Sequence, residues 1–96
     1  LLLSGACASR TKILEPAVYI ENRTGKPFQQ IVYRECGKEN DEWSQINNGD
    51  ILHSGYSATI ELPVDCADLR AIFVSGRIAG TQLDVKKKFP FRWILR

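Results

Sequence analysis

Tyr56-Ser57-Ala58-Thr59-Ile60-Glu61-Leu62 carries the clearest periodicity in the chain. Tyr56, Ala58, Ile60 and Leu62 fall on one face of an extended backbone, and Ser57, Thr59 and Glu61 on the other, because successive side chains of a strand point to opposite sides. The stretch predicts a β-strand with one wet face. Pro63 either ends it or confines it to a sheet edge, since proline has no N–H to give to a ladder. Downstream, Leu69-Arg70-Ala71-Ile72-Phe73-Val74-Ser75 has apolar groups on both faces and predicts a more central strand.

Upstream, Val18-Tyr19-Ile20-Glu21-Asn22 has a short half-buried strand pattern, and the turn-forming residues 23–27 separate it from Gln30-Ile31-Val32-Tyr33-Arg34. These two strands are expected to pair as a hairpin. Residues 37–42 are polar and must loop, after which Trp43 and Ile46 are expected to return to the core, and Asn47-Asn48-Gly49-Asp50 marks another turn. Gly76 and Gly80 punctuate the path to Thr81-Gln82-Leu83-Asp84-Val85, and Phe89 to Leu95 forms the last predicted strand. Many short strands at turn-rich intervals predict an all-β, mainly antiparallel fold: a small sandwich or partly open barrel, with room for one short helix in a connection.

The chain has 96 residues, which allows one domain and one modest core. Residues 1–16 read as a truncated signal and tether, and residues 17–96 as a single compact β domain. Thirteen basic against 11 acidic residues leave a net charge of +2, an ordinary surface balance that does not call for nucleic acid. No run is long and apolar enough for a membrane-spanning helix.

Leu1-Leu2-Leu3-Ser4-Gly5-Ala6-Cys7-Ala8-Ser9 resembles the end of a bacterial export signal with a lipobox, in which small residues precede a cysteine that receives lipid. Gly5 and Ala6 suit that pattern, while Ser4 departs from it, an aliphatic residue being usual there. The resemblance implies lipid attachment at Cys7. With Ala8 rather than aspartate next, it also implies a place on the periplasmic face of the outer membrane. An ordinary cleaved signal would leave the protein periplasmic or secreted. Cys36 and Cys66 then remain as an even pair, most simply a disulfide in an exported chain; two free buried thiols or a partner-linked cysteine are the alternatives. No C-x-x-C or zinc-type Cys/His cluster is present, which argues against redox exchange and a structural metal.

Across Ile20 to Val85, the chain carries Asn22-Arg23-Thr24-Gly25, Trp43, Leu52-His53-Ser54-Gly55, the alternation from Ser57 to Leu62, and Cys66-Ala67-Asp68-Leu69-Arg70-Ala71. In these it resembles small exported bacterial β-sandwich proteins of unassigned function. The shared residues are of turn and core type, so the resemblance implies a fold and brings no active site. The acidic loop Glu39 to Glu42 and the basic C-terminal segment depart from it and give this chain its own surface.

Candidate chemistry is sparse. His53, the sole histidine, stands beside Ser54 and near Asp50, but a nucleophile–base–acid set is defined by geometry, and this segment reads as a polar turn before a strand. Asp41/Glu42 and Asp65/Asp68 are carboxylate pairs of the kind charged loops often contain. Asn40-Asp41-Glu42 offers oxygen ligands without a regular calcium-loop pattern. Gly76-Arg77-Ile78-Ala79-Gly80 lacks the strand-to-helix context of a phosphate-cradling loop, and its glycines read as turn residues. No catalytic residue, metal ligand or cofactor is assigned.

Two patches remain as partner-binding candidates. One is the loop Glu39, Asp41, Glu42 and Trp43. The other is Lys86-Lys87-Lys88 with Arg92 and Arg96 among Phe89, Phe91 and Trp93, whose cations suit an acidic protein or an anionic lipid surface. The competing reading of the second patch is an edge strand guarded by lysines, with Phe89, Phe91 and Trp93 pointing together into the core. The expectation is a noncatalytic interaction or accessory module of the bacterial envelope that binds another protein. An inhibitor of an envelope enzyme, a structural lipoprotein and a small hydrolase are the alternatives.

Overall fold

The computed structural model describes residues 16–96, and Cys7 with the proposed signal and nearly all of the tether lies outside them. Seven strands form the fold: β1 Val18–Asn22, β2 Phe28–Glu35, β3 Ser44–Gln45, β4 Ser57–Ile60, β5 Cys66–Phe73, β6 Ile78–Lys86 and β7 Phe91–Leu95. They make a three-stranded sheet in the order β4-β1-β7 and a four-stranded sheet in the order β3-β2-β5-β6. The two sheets, mainly antiparallel, form a small sandwich-like all-β domain. Every strand pairing is antiparallel except that of β1 with β7. No helix occurs among the described residues, so each connection is a turn or loop.

The predicted hairpin of the first two strands does not form. β1 lies between β4 and β7, whereas β2 lies between β3 and β5 in the other sheet. Asn22 explains the switch. Its fully buried side chain donates to the carbonyls of Lys26 at 2.8 Å and Leu52 at 2.9 Å, and its oxygen accepts from the Thr24 backbone N–H and hydroxyl. All the amide's hydrogen-bonding groups are thereby used to fold residues 23–27 inward rather than back along β1. Arg23 N–H meanwhile bonds the Leu95 carbonyl, and Phe28 exchanges two 3.0 Å bonds with Leu52 as β2 begins.

Alternation fills the space between the sheets. Val18 and Ile20 from β1, Phe28 and Ile31 from β2, Ala67, Leu69 and Ala71 from β5, and Trp93 and Leu95 from β7 are all buried there. The stretch Tyr56 to Leu62 behaves as predicted from Ala58 onward: Ala58 packs against the core and Ile60 and Leu62 are buried, while Tyr56 lies before the strand and is exposed. β4 is a sheet edge that stops at Ile60, before Pro63. The strand predicted at Leu69 is central and starts earlier, at Cys66.

Two glycine positions have distinct reasons. Asn48 and Gly49 both have positive φ (55° and 80°), and Asp50 N–H bonds the Asn47 carbonyl, so Asn-Gly occupies the centre of a tight turn suited to left-handed backbone. Gly80, expected in a turn, instead lies within β6. A Cβ there would come within 2.9 Å of Leu95 Cδ2 and 3.2 Å of Trp93 Cζ2, so the absent side chain lets β7 close on β6.

Candidate functional site: the outer face of the four-stranded sheet

Ile31 packs in the core and Tyr33 against it, so alternation along β2 turns Val32 and Arg34 to the outer face. Register sets Asp68 opposite Arg34, and Arg70 opposite Val32, on the adjoining β5. Trp43 arrives just before β3 and does not enter the core as predicted. It is half-buried instead, with the guanidinium carbons of Arg34 and Arg70 at 4.4 and 4.3 Å from its ring centre. The ring's negative faces attract both cations, and each such contact contributes about 0.5–1 kcal/mol where water has access. Ile46, three residues on, does pack against the core.

Asp68 anchors this arrangement from below. It is 6% exposed, its Oδ2 lies 3.5 Å from Arg34 Nε, and its Oδ1 accepts the Asp84 backbone N–H at 3.1 Å. Asp84 can present that N–H because it sits at positive φ (58°) where β6 slips register against β5. Arg34 Nε is buried and ion-paired without a hydrogen bond, while its Nη1 donates to the Glu39 carbonyl at 3.1 Å. The same arginine therefore holds the Trp43 ring and the root of the acidic loop. Arg70 donates from Nε to Thr81 Oγ1 at 3.3 Å, and its two Nη groups make no further hydrogen bond among the described residues.

Cys36 and Cys66 form a disulfide with a Cα–Cα separation of 5.4 Å, tying the loop root after β2 to the start of β5. Cys36, Cys66 and Asp84 stand close enough together to resemble a metal-ligand set. With the sulfurs joined, the group offers no thiolate, the form in which cysteine binds a metal, and leaves one carboxylate. Lys86 Nζ lies 3.4 Å from Cys66 Sγ.

The remaining sequence candidates are dispersed. Glu39, Asp41 and Glu42 are exposed beside Trp43. Lys86, Lys88 and Arg92 are exposed, Lys87 is half-buried, and Trp93 is 6% exposed within the core. Phe91 packs against that core, but Phe89, predicted to join it, sits in the turn before β7 and is 61% exposed. The structure therefore keeps Phe91 and Trp93 with the core and sets Phe89 apart. His53 is exposed and meets Tyr56 edge-on, and Ser54 Oγ accepts the Gly25 backbone N–H at 2.8 Å. Asp68 is committed to Arg34 on the sheet face, and Asp65 accepts the Lys87 N–H through its backbone carbonyl.

Sequence reasoning singled out Trp43, took Asp68 with Asp65 as a charged-loop pair although it lies buried in β5, and missed Arg34 and Arg70. The available signal was Asp68 and Arg70 two apart on one face of an otherwise apolar strand. Comparison with family models, curated proteins and solved structures finds no match for this chain.

Proposed function

We propose that this chain is a noncatalytic interaction module of the bacterial envelope, and that it binds another protein through the outer face centred on Trp43. The observation that carries the reading is the stacking of Arg34 and Arg70 on a half-exposed tryptophan. Tryptophan and arginine dominate the energetics of protein interfaces because they combine large contact area with directed donors. Here both arginines rise from strands of one sheet, so the donors are positioned before a partner arrives and little ordering cost remains.

The charge pattern describes the partner's complementary surface. The Nη donors of Arg70, which no described residue takes up, suit a carboxylate, whereas the exposed Glu39, Asp41 and Glu42 suit basic groups. An envelope location accords with the Cys36–Cys66 disulfide, a bond that persists in oxidising compartments. Lipid attachment at Cys7 would then hold the module at the membrane. The acidic loop also favours a second reading, inhibition of an envelope enzyme, in which Glu39 to Glu42 would enter a basic cleft.

The test is photo-cross-linking in intact envelopes, with a cross-linking residue at Ser44, beside Trp43, and a control at Thr59 on the other sheet. A single protein captured from Ser44, absent from Thr59 and lost on Arg70→Glu, is the expected result. Equal capture at both positions, or no change on Arg70→Glu, would remove the Trp43 face as the binding site.

A further inference from the structure

We propose that the chain associates with a second copy of itself, head to tail, by seating the Lys86–Phe89 turn of one copy in a groove beside β4 of the next. This contact uses the β4 edge and the Lys86–Phe89 turn rather than the Trp43 ring, and its argument does not depend on the reading given to that ring.

The groove opens between the sheets, where β4 is an unpaired edge and β3 is only two residues long. Ile46, Leu52, Ala58 and Ile60 supply its apolar lining, and Asp50 and Glu61 are exposed at its rim. Its volume is about 260 Å³. A dry cavity of roughly 150 Å³ suffices to hold a benzene ring, so the groove has room for one aromatic side chain. Its described lining contains no lysine or arginine, and the rim charge is negative.

The same chain carries the complementary shape. Phe89 is 61% exposed, an unusual position for a phenylalanine at the tip of a turn, and Lys86 and Lys88 beside it are exposed. Lys88 Nζ lies 5.9 Å from the Phe89 ring. The turn is held by Phe89 N–H to the Lys86 carbonyl and Lys87 N–H to the Asp65 carbonyl, so the ring is presented on a fixed backbone. Asp65 is also exposed beside this turn, so two lysines against one carboxylate leave the aromatic flanked by net positive charge, which matches an apolar groove flanked by two carboxylates.

Placement decides the symmetry. The turn leads directly into β7, and β7 and β4 are opposite edges of the three-stranded sheet. One edge carries the knob and the other the socket, so the contact joins two unlike surfaces, as a head-to-tail arrangement requires.

Sedimentation of the full chain across a concentration series tests this, using two variants that each disable one half of the contact. Phe89→Ser removes the knob, and Asp50→Lys with Glu61→Lys reverses the rim. Wild type should rise in mean mass by about twofold or more with concentration, less so in high salt. Each variant alone should remain a monomer. Their equimolar mixture should form a dimer and stop there, because only one knob and one socket remain competent. That mixture separates loss of the contact from loss of the fold, since unfolded variants could not complement each other. A wild type that stays monomeric at the highest soluble concentration, association of Phe89→Ser equal to wild type, or no dimer in the mixture would overturn the proposal. So would Phe89-dependent binding to anionic vesicles by a chain that remains monomeric, which would assign the turn to a lipid surface instead.

Discussion

The two tryptophans occupy opposite kinds of environment. Trp93 lies between the sheets at 6% exposure, with its ring edge packed where Gly80 leaves space for it. Trp43 lies outside the sandwich, half-exposed, and its neighbours are two arginines. One tryptophan excludes water to hold the fold; the other holds cations in a defined place at the surface. The difference lies in what the adjoining strand presents: a glycine inside β6 in the first case, and outward-facing arginines from β2 and β5 in the second.

Removing Trp93 should have the largest effect. Trp93→Ala would leave a large void between sheets and cost about 3–5 kcal/mol, measured by denaturant unfolding. A loss below that of Trp43→Ala would reverse the assignment of the two rings. The disulfide comes next. Its cysteines are 30 residues apart, so the paired Cys36→Ser and Cys66→Ser change should cost about 3–4 kcal/mol on the loop-entropy account, read from the shift in unfolding free energy. It should also loosen the loop that carries Trp43, visible as faster hydrogen exchange at residues 37–43 and not in β7.

Gly80→Ala sharpens the comparison from the core side. The added methyl meets Leu95 and Trp93 at 2.9 and 3.2 Å, so overpacking should cost about 1–3 kcal/mol and shift the Trp93 side-chain signals while leaving those of Trp43 in place. The smallest effect belongs to Trp43→Ala. Two partly solvated cation–π contacts correspond to about 1–2 kcal/mol, and the fold should survive their loss as judged by far-ultraviolet circular dichroism and unfolding.

Period-two alternation made the strands legible in the sequence, as Ala58-Thr59-Ile60 shows, because each residue's side is a local property. Which strands pair is not local. The turn residues 23–27 read equally well as a hairpin, whereas in the fold the buried hydrogen bonds from Asn22 to Lys26 and Leu52, with the Phe28–Leu52 pair, take β2 to the other sheet. Gly80 read as punctuation for a similar reason: its role depends on Leu95 and Trp93, which are near it only after folding. The disulfide was the simplest reading of an even pair, and it forms. At the candidate site, Trp43 was visible as a large aromatic beside a charged loop. Arg34 and Arg70 were not, and Asp68 was visible only as a loop-type partner of Asp65, because what joins the three is strand register between distant segments.

The most direct measurement pairs stability with partner capture for Trp43→Ala. It uses the Ser44 cross-linker in envelopes and denaturant unfolding of the same purified variant. The account predicts that Trp43→Ala keeps the fold, with a loss of no more than about 2 kcal/mol, and no longer yields the cross-linked protein. Undiminished capture by a folded Trp43→Ala variant, or unfolding as severe as that of Trp93→Ala, would contradict it and return Trp43 to a purely structural role.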